Sequence, residues 1–174
     1  MADTTKLATF AGGCFWCMQG EFEATPGVSK VVAGYTGGTT QNPTYEQVSM
    51  GGTGHVEAIE VTYDASKVSY QKLLDVFWEN VDPLDPYGQF CDKGSQYRAG
   101  IFYHDDEQKQ LAEKSREEVK KRFSAPIATN IHAASTFYPA EDYHQDYYIK
   151  NKTRYKLYRL GCGRDARLKE LWNK

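Results

Sequence analysis

Long apolar runs are absent from the sequence, and no stretch approaches the roughly 20 consecutive apolar residues that a membrane-spanning helix needs. Charge of one sign is also lacking, because 21 basic and 23 acidic residues give a formal net charge of −2. A nearly neutral chain has no strong field to recruit nucleic acid or a basic partner. Residues 1–11 show neither the charged nor the apolar region of a secretion signal. We therefore expect a cytoplasmic protein that contacts neither nucleic acid nor a membrane.

Repeats, low-complexity segments and linkers are missing as well. The 174 residues are a usual length for one compact domain. We expect residues 1–174 to form a single, monomeric domain with an irregular C-terminal tail from about residue 150. Basic residues accumulate in that tail, and we interpret them as a solvated face: Lys150, Lys152, Arg154, Lys156, Arg159, Arg164 and Arg167.

What is present is a mixed order of strand-like and helix-like segments. Strands are predicted at Lys6–Ala11, Val28–Tyr35, His55–Tyr63, Ala99–Tyr103 and Ile127–Ala134. Helices or helical turns are predicted at Met18–Ala24, Thr44–Met50, Ser69–Asn80, Asp105–Arg122, Asp142–Ile149 and Asp165–Trp172. This order predicts an α+β fold in which helices back one face of a mixed sheet.

Cysteine is scarce, with four residues: Cys14, Cys17, Cys91 and Cys162. Disulfides seldom persist in a reducing cytosol, and a chain of this length does not need them for stability. Reactive, redox or metal roles are therefore the ones to weigh. Cys14 follows a predicted strand and precedes a predicted helix, where unpaired N–H groups and the helix dipole favour an anion. We expect this position to lower the pKa of the Cys14 thiol.

Cys14 and Cys17 form a Cys-x-x-Cys pair, a spacing that three kinds of site use. A zinc site would need a second pair or histidines at matched spacing, and none is present. Haem attachment needs a histidine directly after the second cysteine, where Met18 stands. Redox chemistry remains, so we expect no metal and no cofactor. Phe15 and Trp16, between the two cysteines, favour a pocket for an apolar substrate group.

This run opens an ordered series of motifs that extends from about Thr9 to Lys150. The others are Gly34-Tyr35-Thr36-Gly37-Gly38, Asn42-Pro43-Thr44-Tyr45, Thr53-Gly54-His55-Val56-Glu57-Ala58, Phe77-Trp78-Glu79-Asn80, Asp92-Lys93-Gly94-Ser95-Gln96-Tyr97-Arg98 and Ala140-Glu141-Asp142-Tyr143-His144-Gln145. Together they resemble the type A peptide methionine sulfoxide reductases. The resemblance implies a ferredoxin-like two-layer core with long coil segments. It also implies reduction of the S epimer of methionine sulfoxide, free and in oxidised proteins, with thioredoxin as reductant.

The same resemblance implies roles for individual residues. Cys14 would attack the sulfoxide sulfur, and Glu57 would protonate the sulfoxide oxygen. Tyr45 and Tyr97 match hydroxyls that hydrogen-bond this oxygen, and Asp92 matches a supporting acidic position. An acid and hydroxyl donors at that oxygen stabilise the charge that develops there, and burial would raise the pKa of the acid. Two further residues match the pocket for the substrate methyl group: Phe15 and Trp16.

The thiol that resolves the Cys14 sulfenic acid is left open by the sequence. Cys17 lies one helical turn away, and Cys162 lies in a glycine-flanked tail whose mobility would help it to reach Cys14. Cys91 ranks third, because the charge of Asp92 beside it raises a thiol pKa. An alternative for the whole chain is a general thiol-disulfide oxidoreductase that uses the Cys14/Cys17 pair directly on protein disulfides.

Overall fold

The computed structural model describes residues 4–173. Within this range the strands are β1 (Thr5–Ala11), β2 (Val28–Thr36), β3 (Val56–Asp64), β4 (Gly88–Gln89), β5 (Asp92–Lys93), β6 (Gly100–Tyr103), β7 (Asn130–Ala133) and β8 (Tyr138–Pro139). The helices are α1 (Phe15–Glu23), α2 (Tyr45–Met50), α3 (Tyr70–Glu79), α4 (Asp106–Lys120), α5 (Tyr147–Lys150), α6 (Lys152–Cys162) and α7 (Arg164–Trp172). Short 3₁₀ turns lie at Ser95–Tyr97 and Asp142–His144.

Six strands form one sheet in the order β7-β6-β1-β3-β2-β8. Neighbours are antiparallel except β6 and β7, which are parallel. The central order β6-β1-β3-β2, with α1 joining β1 to β2 and α3 joining β3 to β6, is the split βαβ arrangement of ferredoxin-like folds. The predicted α+β class with a mixed sheet is confirmed. A second, two-stranded sheet consists of β4 and β5, and no strand is predicted at either position from the sequence.

The main core lies between the large sheet and the helices α1, α3 and α4. Phe10 of β1 stacks on Phe22 of α1 and Phe77 of α3, with ring centroids 5.1 and 5.2 Å apart. Aromatic pairs of this kind add to the hydrophobic free energy that burial already provides. The strand-helix contact matters for the site, because it fixes the turn that joins β1 to α1.

The predicted irregular tail from about residue 150 is wrong for Lys152–Cys162, which forms α6, whereas the helical turns predicted at Asp165–Trp172 are confirmed by α7. A half-buried stripe follows helical spacing along α6: Asn151, Tyr155, Tyr158, Arg159 and Cys162. The stripe consists of polar and amphipathic side chains, so it gives no apolar periodicity that sequence patterns detect. Among residues 4–173 no helix is long and apolar enough to cross a bilayer.

Candidate active site

The turn between β1 and α1 places Cys14 at the N-cap of α1, as the sequence predicts. Gly13 makes this turn possible with a φ of +86°. A Cβ atom at Gly13 would also lie 2.6 Å from the Cβ of Gln89, so both conformation and space require glycine there. Cys14 is 5% exposed and borders a small cavity of about 80 Å³.

Apart from the candidate resolving cysteines, every side chain predicted from the sequence to take part in the reaction or in substrate binding lines this cavity. They come from separate segments of the chain: the β1–α1 turn, α2, β3, β5 and the 3₁₀ turn before β6. One residue from α6 joins them. The lining residues are Cys14, Phe15, Trp16, Tyr45, Glu57, Asp92, Tyr97 and Tyr158.

Glu57 is the buried acid of this cavity, with 2% of its surface exposed. Its Oε1 accepts a hydrogen bond from the backbone N–H of Phe15, 3.2 Å away, at the start of α1. Burial is the main cause that raises the pKa of Glu57 to about 8; this hydrogen bond opposes the rise and the nearby Asp92 adds to it. Glu57 therefore carries a proton at neutral pH and can give it to an acceptor in the cavity.

Hydroxyl groups and a second carboxyl complete the polar wall. Tyr45 begins α2, where its backbone N–H donates to Glu141 over 3.1 Å and Thr44 caps the helix. Tyr97 ends the 3₁₀ turn that precedes β6. Burial raises the pKa of both phenols, so each keeps the proton that a hydrogen-bond donor needs. Asp92 lies on β5 and its pKa is also raised by burial.

Trp16 forms the apolar wall of the cavity, and three other side chains fix the position of its ring. Its ring stacks on Tyr147, with centroids 3.8 Å apart and planes at 9°. Its indole Nε1 donates to Nδ1 of the buried His144 over 3.0 Å. The edge of Tyr158 meets the same ring at 5.8 Å. A side chain fixed in this way presents one defined apolar surface to the cavity.

The expected lowering of the Cys14 pKa is wrong. Burial removes water from a Cys14 thiolate, and the hydrogen bond to Cys17 acts in the same direction, so the pKa of Cys14 is raised. The pKa of Cys17 is lowered, first by the hydrogen bond from Cys14 and then, against the cost of burial, by Arg164 and Arg159. In this hydrogen-bonded pair a thiolate is therefore favoured on Cys17 over Cys14.

Arg164 was predicted to lie on a solvated basic face, and this prediction is wrong. Its side chain is buried beside the site, with 2% of its surface exposed. One guanidinium nitrogen donates to the carbonyl oxygens of Gly12, at 2.9 Å, and Asn80, at 2.8 Å. The guanidinium also lies over the ring of Phe90, 4.5 Å from its centroid. Arg164 therefore connects α7 to the turn that carries Cys14. No local sequence pattern marks Arg164 as an inward-facing side chain.

Cys91 and Cys162 form a disulfide, and Cys14 and Cys17 are free thiols. Asp92, next to Cys91, accepts a hydrogen bond from the hydroxyl of Tyr158, one turn before Cys162 on α6. The two bonds together join α6 to the edge of the cavity. Cys91, Asp92 and Cys162 are also close enough to be considered as metal ligands, but the disulfide occupies both sulfur atoms.

Replacing Tyr158 with phenylalanine is expected to lower kcat/KM by about 3- to 10-fold, since one hydrogen bond of this kind contributes roughly 1 kcal/mol. The reason is that the Asp92 carboxyl loses the hydrogen bond donated by the Tyr158 hydroxyl. The ring of the new phenylalanine keeps its contact with Trp16. Steady-state kinetics would measure the change. Tyr87→Phe is the matched control, because Tyr87 is 75% exposed and does not line the cavity. Equal rates for both variants would contradict a role for the Tyr158 hydroxyl.

Known proteins give the same assignment as the geometry. The family model of peptide methionine sulfoxide reductase matches residues 6–174. The peptide methionine sulfoxide reductase MsrA of Bacillus licheniformis is 51% identical over 176 residues, which cover 100% of this chain and 97% of the relative. Because this identity extends over the full length of both chains, the two proteins share the whole domain and not only one motif.

Two solved structures share the fold. Mxr1 from Saccharomyces cerevisiae in reduced form has a TM-score of 0.81 at 33% identity, covering 86% of this chain and 87% of that chain. Methionine sulfoxide reductase A of Corynebacterium diphtheriae has a TM-score of 0.76 at 30% identity, covering 87% and 77%. The family predicted from the ordered motifs is confirmed. This chain belongs to the peptide methionine sulfoxide reductase family, and it is an oxidoreductase that reduces methionine sulfoxide.

Proposed function

We propose that the cavity beside Cys14 is where methionine sulfoxide is reduced, with Cys14 as nucleophile and Glu57 as acid. The observation that carries this proposal is the meeting of a thiol, a protonated carboxyl and an apolar wall in one small cavity. A sulfoxide has a matching set of groups: an electrophilic sulfur, an oxygen that must gain a proton before its bond to sulfur breaks, and an apolar methyl group. The methyl group would lie against Phe15 and Trp16.

The first step moves two protons. Cys14 attacks the sulfoxide sulfur while its S–H proton passes to the Cys17 thiolate, which already accepts a hydrogen bond from it. Glu57 gives its proton to the sulfoxide oxygen, and Tyr45 and Tyr97 donate hydrogen bonds to the same oxygen. The attack forms a bond between the Cys14 sulfur and the substrate sulfur. The protonated oxygen then moves to the Cys14 sulfur as this bond and the original sulfur–oxygen bond break, so methionine leaves and Cys14 becomes a sulfenic acid. Asp92, held by Tyr158, supports the polar wall without direct transfer.

The second step resolves the sulfenic acid, and we assign it to Cys17. Both Cys14 and Cys17 are buried, one helical turn apart, and already share a hydrogen bond. Cys162, the other candidate, is bonded to Cys91. Cys17 bonds to the Cys14 sulfur, and its proton leaves with the Cys14 hydroxyl as water. The product is a Cys14–Cys17 disulfide with both sulfur atoms away from solvent.

The S epimer is the proposed substrate, in free methionine sulfoxide and in oxidised proteins. The substrate sulfur would meet a different wall of the cavity on each of three sides. Trp16 would contact its methyl group, Glu57 would contact its oxygen, and Cys14 would attack from the third side. A site with three distinct walls accepts one epimer, because the other places the methyl group where the oxygen must be. The family resemblance assigns the S form.

Thioredoxin is the proposed reductant. The proposed location is the cytoplasm, where such dithiols are kept reduced. The protein is proposed to be a monomer with a single domain. Mxr1 from yeast has been solved in a complex with Trx2. Direct use of the Cys14/Cys17 pair on protein disulfides is a weaker candidate, because the exposed fractions of the two cysteines are only 5% and 2%.

The test is turnover on each purified sulfoxide epimer with thioredoxin as donor, beside a separate insulin-reduction assay that contains no thioredoxin. Methionine should form from the S epimer and stop when Cys14 is alkylated, and insulin should not be reduced. Methionine formation at equal rates from both epimers would contradict the three-wall arrangement. Insulin reduction without methionine formation would favour the general oxidoreductase.

A further inference from the structure

The sulfur atoms of Cys91 and Cys162 take no part in the steps described so far, and they lie beside the carboxyl group of Asp92. Each of the three residues offers one possible ligand atom, and these atoms lie within 4.8 Å of one another. A disulfide joins the two sulfur atoms in this structure. Once that bond is reduced, the cluster consists of two thiolates and a carboxylate, all of which are ligands that zinc takes in proteins.

We propose that the chain binds one zinc ion between Cys91, Asp92 and Cys162 when these two cysteines are reduced. Sequence spacing indicates no such site, because the two cysteines are 71 positions apart and form no zinc-binding motif. Water completes the coordination as the fourth ligand. The disulfide form binds no zinc, because its sulfur atoms are bonded to each other.

The distances within the cluster suit one ion. Ligand atoms at about 2.0–2.3 Å from a tetrahedral zinc ion lie roughly 3–4 Å from one another. The three atoms of the cluster, all within 4.8 Å, therefore reach one ion after small side-chain movements. Gly161 and Gly163 flank Cys162, and a Cβ atom at either position would meet nothing within 4 Å. The sulfur of Cys162 thus has open space beside it in which to adjust.

Hydrogen bonds already orient two of the three ligands. The backbone N–H of Cys91 donates to the sulfur of Cys162 over 3.1 Å. The hydroxyl of Tyr158 donates to Oδ2 of Asp92, and within residues 4–173 no hydrogen bond occupies the other oxygen, Oδ1. Donors that hold metal ligands in place in this way increase metal affinity. Asp92 can therefore keep its bond to Tyr158 and ligate the ion through Oδ1.

The charges and the exposure of the cluster also suit a divalent cation. Two thiolates and a carboxylate carry three negative charges, one more than a zinc ion neutralises. Arg164 and Lys93 act electrostatically on Asp92, and their positive charges offset this excess. Cys91 is exposed, and Asp92 and Cys162 are half-buried, so the ion can enter from solvent.

The ion is connected to the reaction through Asp92, which lines the catalytic cavity. A carboxylate that ligates zinc is fixed toward the two sulfur atoms and can no longer adjust to a substrate at the polar wall. Bound zinc should therefore slow the reduction of methionine sulfoxide. This consequence rests on the proposed function of the cavity, whereas the binding of zinc does not.

Zinc titration of the reduced protein tests the site without any turnover. The protein is reduced with a phosphine, freed of it without air and titrated with zinc against a chromophoric chelator. Reduced wild type should bind one equivalent, and the disulfide form should bind none. Cys91→Ser/Cys162→Ser should bind none, whereas the matched control Cys14→Ser/Cys17→Ser should keep one. Binding by the disulfide form, or undiminished binding by Cys91→Ser/Cys162→Ser, would overturn the site.

Alkylation of the reduced wild type locates the ion without any substitution, so it does not depend on the folding of a variant. Peptide mass spectrometry should show that zinc protects Cys91 and Cys162 and leaves the alkylation of Cys14 unchanged. Protection of Cys14 and Cys17 instead would place the ion at the inner pair and overturn the proposal. Tyr158→Phe should weaken zinc binding by about tenfold or more, because it removes the hydrogen bond that orients Asp92.

The first methionine formed by reduced protein, with no reductant present, measures the effect of zinc on the reaction. Saturating zinc should slow it several-fold in the wild type and leave the rate of Cys91→Ser/Cys162→Ser unchanged. Equal wild-type rates with and without zinc would contradict the connection through Asp92. No methionine from any protein would contradict the proposed role of Cys14, and the titration would still decide whether the zinc site exists.

Discussion

Replacing Glu57 with glutamine is expected to lower kcat/KM for methionine sulfoxide by roughly 10²- to 10⁴-fold, the usual contribution of a positioned general acid. Glutamine keeps the size of the side chain, and its oxygen can still accept the hydrogen bond from the Phe15 backbone. It has no proton to give to the sulfoxide oxygen, however. The loss should therefore appear in the chemical step while Cys14 stays available to alkylating agents.

The pH dependence checks the assignment by a second route. The pKa of Glu57 is raised to about 8, so the carboxyl is protonated below that pH and loses its proton as the pH rises through it. Wild-type kcat/KM should fall above pH 8, and the residual activity of Glu57→Gln should not show that fall. Glu60→Gln is the matched control, because Glu60 lies on the same strand and outside the cavity. If Glu57→Gln kept both rate and pH profile, another group would have to supply the proton.

Replacing Arg164 with methionine is expected to lower the free energy of unfolding by about 2–4 kcal/mol, because each buried polar group left without a partner costs roughly 1–3 kcal/mol. The carbonyl oxygens of Gly12 and Asn80 both lose the same donor. The pKa of Cys17 should also rise, because Arg164 helps to stabilise its thiolate. Urea denaturation measures the first effect, and thiolate absorbance as a function of pH measures the second.

The neighbouring α7 residue Arg167 provides the control. Its side chain is 40% exposed and pairs with Asp82 and Glu170, and such pairs contribute about 0–1 kcal/mol. Arg167→Met should therefore change the stability by no more than about 1 kcal/mol and leave the Cys17 pKa unchanged. Equal losses for the two variants would mean that Arg164 acts only as a surface charge.

The sequence predicted most of the site because its parts lie in short motifs with clear local structure. Cys14 was predicted at a strand-helix junction because it lies between a predicted strand and a predicted helix, and the structure places it at the N-cap of α1. Glu57, Tyr45, Tyr97 and Asp92 came from ordered motifs, and the fold brings them to one cavity. Strand alternation and the spacing of apolar residues in α3 likewise predicted the elements that build the sheet and its core.

The features of the site that the sequence did not predict depend on contacts between segments far apart in the chain, which no local sequence pattern contains. The pKa of Cys14 rises because surrounding segments exclude water from it, and a helix N-terminus seen alone predicts the reverse. Tyr158 and Arg164 belong to helices whose inner faces are polar, so hydrophobic spacing could not identify them. The disulfide between Cys91 and Cys162 joins residues 71 positions apart, which spacing alone cannot pair.

The hydrogen bond between Arg164 and Gly12 also has a meaning for synthesis of the chain on the ribosome. It joins residues 152 positions apart, so during translation the turn that carries Cys14 lacks this contact until Arg164 has been added. The cavity beside Cys14 is therefore completed only when a segment made much later has folded back onto the beginning of the chain.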